Sequence, residues 1–377
     1  MSTEIKLFAC TKTDEAYFRG TKPKLVAFDT ETLGTKLFPG QGGTVTHLSW
    51  AINADTGYVA EIGSVPETVL SWLGDSSVMK TAHNAAFDIK AVDMALGIKV
   101  EPCHDTMVLI HLADPASKSV IPRGLKPWGR SIGLPYWNAP LQRWQEDTLF
   151  RTQPRKKWPV DLAPWPPPVE ILEPYSAWDS LVTFQLHQYL MGQLTGCERF
   201  SALLTMYSKL IPVFAHMEQN GMALDLELVE DIISTTDAIL LTSRQAMLTH
   251  LGKGPWTDKF IGSPKQIGAW LMQHGIALPL TPKKNYSTKD DVLEALLTDR
   301  LTEGTAPHTV VKAIMDYRAA KKRQEKAADL LARQVNGLLP TGFDLTGARS
   351  GRTSSSPNTQ NIERQGPLRS CFVSRWR

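Results

Sequence analysis

Four cysteines in 377 residues (Cys10, Cys103, Cys197 and Cys371) are too few and too scattered for a disulfide framework. None sits in a Cys-x-x-Cys or Cys/His pattern, so a zinc site is not indicated. No apolar run approaches the roughly 18 residues of a membrane span. The N-terminal Met-Ser-Thr-Glu-Ile-Lys also lacks the charged-then-apolar pattern of a secretory signal. Secreted and integral-membrane classes are thereby excluded, and a reduced, cytoplasmic setting with no membrane partner is expected. Net charge is nearly lacking too, with 41 Lys and Arg against 38 Asp and Glu. There is no internal repeat, and no low-complexity tract apart from Pro164 to Pro168.

What is present is an apolar content of 42%, ample for real cores. At roughly 100 to 200 residues per domain, the length predicts two or three domains. Charge is uneven: Lys321 to Arg377 holds 11 basic against 4 acidic residues, so in a chain of net +3 the first 320 residues carry −4. An acidic body carries a basic tail.

The first 115 residues read as α/β with a mixed sheet. Leu25 to Phe28 is a short apolar strand, and Thr44 to Ile52 with Gly57 to Ile62 predicts a hairpin across Asn53 to Thr56. Pro66 opens a helix ending near Gly74, and Val78 to Ala82 is a strand. Phe87 to Leu96 has helical spacing stopped by Gly97, and a further helix runs from Asp105 to Leu112. Between Asp114 and Pro174, prolines and tryptophans crowd around Arg155, Lys156 and Lys157. This insertion reads as an ordered surface loop packed by its own aromatics, with nucleic-acid contact as the alternative. From Phe200 the helical period dominates. Asp225 caps one long helix, Ser263-Pro264 starts another, and Pro307 begins the last.

Asp29-Thr30-Glu31 follows the first strand directly, and the period of two puts both carboxylates on one face, as a metal pair requires. Asp225-Leu-Glu227 has the same spacing but sits at a helix start, where acids complement the dipole. Asn84-Ala-Ala-Phe-Asp88 enters a helix from a strand end, and by itself Asn84 reads as an N-cap. Tyr175-Ser-Ala-Trp-Asp179 opens the helix running to Tyr189, with phenol and carboxylate on one face. Tyr286 and Asp290 share that spacing, but Ser287 and Asp290 are better explained as a capping pair. All-oxygen ligands of this kind favour Mg²⁺ or Mn²⁺.

In this order, a strand-borne Asp-x-Glu, an Asn-x3-Asp and a Tyr-x3-Asp closely resemble the 3′-5′ exonuclease domain of family-A, polymerase I-like DNA polymerases, the DEDDy class. The resemblance spans Leu25 to Leu190 and includes His104-Asp105-Thr106 and Gly124-Leu-Lys-Pro-Trp-Gly129. Pro174 stands where a histidine-type enzyme would carry His. The resemblance implies a ribonuclease H-like fold and two divalent ions. One would be held by Asp29, Glu31 and Asp179, the other by Asp29 and, through water, Asp88. Tyr175 would orient the attacking water, and Leu33 and Asn84 would touch the terminal nucleotide, although Leu33 equally suits the core.

The second half resembles the thumb of the same polymerases, through Leu210 to Phe214 with Glu218 to Gly221, Ser263 to Ile267 with Gly275-Ile276, and Asp316-Tyr317-Arg318. Gly351 to Asn361 is similar to the segment joining thumb to palm. That likeness implies DNA contacts by Arg352, Ser354, Ser355, Asn358, Gln360 and Asn361; the competing reading is a Ser-rich disordered tail. Ser356 stands where many relatives place an acid. The expected domains are residues 1–195 (α/β exonuclease), 196–340 (mostly helical thumb) and 341–377 (start of the thumb-to-palm segment). No palm or fingers motif follows Val373, which predicts a split or truncated polymerase of phage type, a palm–fingers partner chain, and Phe372 and Val373 lacking their sheet. Two other readings stay open. A non-catalytic DNA-binding subunit is opposed by the complete carboxylate set, and a stand-alone exoribonuclease leaves the thumb-like half unexplained.

Overall fold

A six-stranded mixed sheet organises the N-terminal half of the protein. The structure, a computed structural model, describes residues 4–34, 36–114, 121–149, 166–195, 198–251, 261–364 and 366–375. Its contacts form two units, Met1–Gly221 with Pro340–Gln360, and Met222–Leu339 with Asn361–Arg377. This division departs from the expected boundary at 196, because the helix after that point packs on the first unit and the chain returns to it after residue 339.

In the first unit the strands are β1 (Lys6–Ala9), β2 (Leu25–Leu33), β3 (Thr44–Ala51), β4 (Thr56–Glu61), β5 (Met79–Ala82) and β6 (Cys103–Asp105). Their order is β1-β4-β3-β2-β5-β6. The hairpin β3–β4 and the pair β2–β3 are antiparallel, and β1–β4, β2–β5 and β5–β6 are parallel. The side-chain amide oxygen of Asn53 accepts from the backbone of Asp55 and Thr56 at 3.1 and 2.9 Å and shapes the hairpin turn. The short outer strands β1 and β6 were not foreseen. β2 runs through Asp29-Thr30-Glu31 instead of ending at Phe28, with a register shift between Glu31 and Thr32.

The helices of this unit are α1 (Glu15–Phe18), α2 (Glu67–Gly74), α3 (Ala85–Leu96), α4 (Thr106–Ala113), α5 (Leu125–Ser131), α6 (Ala139–Leu149), α7 (Val169–Leu194) and α8 (Glu198–Asn220). Alternation along β2 sorts its side chains. Val26 and Phe28 join the main core with Phe18, Trp50, Tyr58 and Trp72, whereas Ala27 packs with Leu181 and Phe184 of α7. α7 lies so close to the sheet that a methyl group on Gly57 would run into the Ala177 carbonyl. It begins six residues before Tyr175, with Pro174 inside it, so the phenol is held mid-helix and not at a frayed end.

The insertion expected to pack on its own aromatics contributes instead to a core. Leu125, Trp128 and Trp137 are buried with Val182, Leu186 and Leu190 of α7. Arg155, Lys156 and Lys157 lie outside the described residues. The returning segment forms a two-stranded sheet, β9 (Gly342–Asp344) against β10 (Ser354–Ser356), which replaces the disordered-tail reading. Glu218 of α8 anchors it, accepting from the Phe343 amide at 2.6 Å and pairing with Lys90.

The second unit is mostly helical. α9 (Leu226–Leu251) packs along Ala306–Arg333, with Pro264–Gln273 and Asp290–Asp299 beside them. The Asp225, Ser263 and Thr305 side chains accept from helix N-terminal amides, as capping requires. The expected Ser287–Asp290 capping pair is not formed: Lys289 is the N-cap of Asp290–Asp299 and makes no side-chain bond. Strands β7 (Met222–Ala223) and β8 (Leu338–Leu339) pair, and Phe372 bridges Leu224 while the Val373 amide donates to Ala223 at 3.0 Å. Phe372 and Val373 therefore do not lack backbone partners.

Candidate active site

Parity along β2 places Asp29 and Glu31 on the face of Ala27, the face covered by α7, and α7 brings Asp179 to the same place. Oxygens of Asp29, Glu31 and Asp179 all lie within 4.8 Å of one another. Thr30 has the opposite parity and reaches α3, where its amide and hydroxyl donate to Asp88 Oδ1 at 2.9 and 2.7 Å. These groups line an open cleft of about 320 Å³ together with His83, Asn84, Phe87, Leu125, Lys126 and Tyr175. Of the expected exonuclease residues, Asp29, Glu31, Asp88, Asn84, Tyr175 and Asp179 thus converge. Leu33 does not line the cleft; it pairs with Thr44 at the end of β2.

Asn84 stands at the N-cap position of α3 in the left-handed conformation (φ 66°) and makes no capping bond with its side chain. Asp105 does that work, accepting from the amides of Asn84 and Ala85 at 3.0 Å each and from Met107 at 2.8 Å. The capping role weighed for Asn84 therefore falls to a residue on β6, and Asn84 is among the residues that line the cleft.

Crowded burial leaves its mark on acidity. Burial, then Asp88, Asp179 and Glu31, hold the Asp29 carboxyl well above the usual carboxylate range. Burial and Asp179 push Glu31 up to about 8. Burial raises Asp88 to about 7, although the Thr30 hydrogen bonds favour its ionised form. Tyr175 is pushed well above the usual phenol range by burial and by Asp179, so it keeps its proton. His83 is driven down to about 3 by burial and by Lys126, and is neutral. This donor set fits hard divalent cations: all ligand atoms are carboxylate oxygens, and their mutual repulsion calls for positive charge.

Lys126 and Trp137 had no assigned role in the sequence. Lys126 Nζ donates to Asp179 Oδ2 at 2.5 Å and to the Tyr175 hydroxyl at 2.8 Å. The indole of Trp137 donates to Asp179 Oδ1 at 2.6 Å. The signal for Lys126 was its place in the Gly124 to Gly129 stretch beside an uncompensated acidic group; nothing marked Trp137. Arg123, also unforeseen, is buried and donates to the Thr346 carbonyl and to His111. On the β9–β10 segment, Arg352, Ser354, Asn358 and Gln360 are exposed, and the Ser355 hydroxyl accepts from the Thr359 amide at 3.2 Å. Asn361 is exposed and belongs to the second unit.

Comparison with known proteins agrees with both halves. Residues 8–195 match the 3′-5′ exonuclease family, and residues 245–377 match DNA polymerase family A. DNA polymerase I of Pseudomonas aeruginosa is 27% identical over 360 residues, which are 90% of this chain and 36% of that protein. The DNA polymerase of Escherichia phage T5 is 24% identical over 378 residues, 93% of this chain and 42% of the relative. The POL domain of Pol1 from M. smegmatis, solved with DNA primer-template and dNTP, has the same fold, with a TM-score of 0.72 at 20% identity over 97% of this chain and 58% of that one. The chain belongs with the family-A DNA polymerases that carry a 3′-5′ exonuclease domain, and includes part of the polymerase domain. It spans about a third to two fifths of the length of the two curated relatives.

Proposed function

We propose that the cleft is a DEDDy-type exonuclease site that removes nucleotides from DNA 3′ ends, as the proofreading part of a family-A polymerase. The observation that carries this is the meeting of Asp29 and Glu31 from one strand with Tyr175 and Asp179 from one helix, and Asp88 lining the same cleft. Asp29, Glu31 and Asp179 would hold one divalent ion, and Asp29 with Asp88 a second. Such ions supply Lewis acidity and neutralise charge at the phosphate.

The chain's own groups account for the rest. Tyr175 keeps its proton, so it orients water by hydrogen bonding and does not act as a base. Thr30 fixes Asp88 in one orientation. Neutral His83 adds no charge to the wall, Phe87 and Leu125 offer apolar surface to a base, and Asn84 presents its amide to the terminal nucleotide. A cleft of this size admits a frayed end more readily than a paired one, so single strands are the preferred substrate. Arg352 and its polar neighbours are assigned to primer-template backbone.

The test is digestion of 5′-labelled single-stranded DNA by the purified chain with Mg²⁺ or Mn²⁺. A ladder shortening from the 3′ end, lost in Asp29→Ala, supports the reading. Equal digestion by Asp29→Ala, in preparations cleared of host nucleases, removes the site from consideration.

A further inference from the structure

The carboxylate cluster already contains a cation. Lys126 enters the cleft from the first turn of α5, and its ammonium bonds Asp179 Oδ2 and the Tyr175 hydroxyl together. It also lies 4.7 Å from the centroid of the Tyr175 ring. With Trp137 on Oδ1, both oxygens of Asp179 are engaged by side-chain donors. Asp179 is also one of the three groups whose oxygens converge closely enough to share an ion. A divalent ion placed there must share a carboxylate with an ammonium at hydrogen-bond distance, and two cations at such range repel strongly where water is partly excluded.

Exposure separates the two partners. The Asp179 side chain is 5% exposed and held by donors on both oxygens, whereas that of Lys126, which also lines the cleft, is 27% exposed. An ammonium on a flexible four-carbon stem can leave without backbone movement. The cluster therefore has two ways of being neutralised, one internal and one external.

We propose that Lys126 is a built-in counter-cation that competes with divalent metal for Asp179 and so sets the metal concentration at which the exonuclease site fills. This rests on the cleft being a metal site, as argued above. With the ammonium engaged, the fraction of molecules ready to accept metal falls, and apparent affinity falls in proportion. Lys126 is thus a positioning residue that acts through Asp179.

The experiment is Mn²⁺ titration of the whole 377-residue chain by isothermal calorimetry at low salt. It compares wild type, Lys126→Met, Lys126→Gln, Lys126→Arg and Asp179→Asn, with circular dichroism melts confirming that each is folded. Lys126→Met and Lys126→Gln should bind Mn²⁺ at least tenfold more tightly, about 1.4 kcal/mol. Lys126→Arg should stay near wild type, because the charge is kept. Use of the glutamine variant, which retains hydrogen-bond donors, protects the test against a packing defect in the methionine variant. Wild-type binding that depends on Asp179 but is unchanged or weakened in both neutral variants overturns the role of Lys126 alone. Absence of Mn²⁺ binding in every variant overturns this proposal together with the metal site.

Discussion

Replacing Glu31 by Gln should stabilise the metal-free protein at alkaline pH while destroying its proposed activity. Glu31 is buried beside Asp179, and its carboxyl moves from 4.5 to about 8 on folding. Because the folded value is the higher one, the folded state holds a proton that the unfolded chain gives up. Stability from this group is full below about 4.5 and is lost progressively as pH rises to about 8. At pH 8 the loss has a ceiling of about 5 kcal/mol, taking about 1.4 kcal/mol for each pH unit crossed. The neighbouring carboxyl groups share protons with Glu31, so about 2 kcal/mol is expected from the single substitution. Urea unfolding in EDTA at pH 5 and pH 8 measures it. Wild type should weaken between the two pH values, the variant should weaken less, and Mg²⁺ should restore stability to wild type more than to the variant. If Glu31→Gln in EDTA is no more stable than wild type at pH 8, the electrostatic account of the cluster is wrong.

Other consequences follow from the packing and the surface. Gly57→Ala drives a methyl into the Ala177 carbonyl and should cost about 1 to 3 kcal/mol, seen as a lower melting temperature; an unchanged melt would mean that α7 is not closely seated on β4. Arg352→Ala should weaken primer-template binding and reduce the slope of log affinity against log salt by about one. An unchanged slope in a fluorescence-anisotropy titration would take Arg352 off the DNA.

The parts of the site legible in the sequence are those fixed by local period. Alternation along a strand forces Asp29 and Glu31 onto one face whatever the strand packs against, and four-residue spacing on a helix does the same for Tyr175 and Asp179. Pro174 hid the true start of α7, because a proline in a helix's second turn reads as a boundary. Capping was legible where one residue and the following turn decide it, as at Asp225 and Ser263. At Asn84 it was not, since Asp105, twenty-one residues away, takes the amide. The bonds of Lys126 and Trp137 to Asp179 were not legible for the same reason: they exist only once α5 and the residues after it are folded against α7. The short strands β1 and β6 carry three or four residues each, too few for a periodic signal, and exist because β4 and β5 offer edges to pair with.

The claim that the cleft is a two-metal exonuclease site is tested most directly by anomalous diffraction from crystals soaked in Mn²⁺ with a deoxynucleoside 5′-monophosphate. Two anomalous peaks are predicted, one touching Asp29, Glu31 and Asp179 and the other between Asp29 and Asp88, with Lys126 withdrawn from Asp179. A map with no peak at these carboxylates, and Lys126 still bonded to Asp179 at saturating Mn²⁺, would contradict the account.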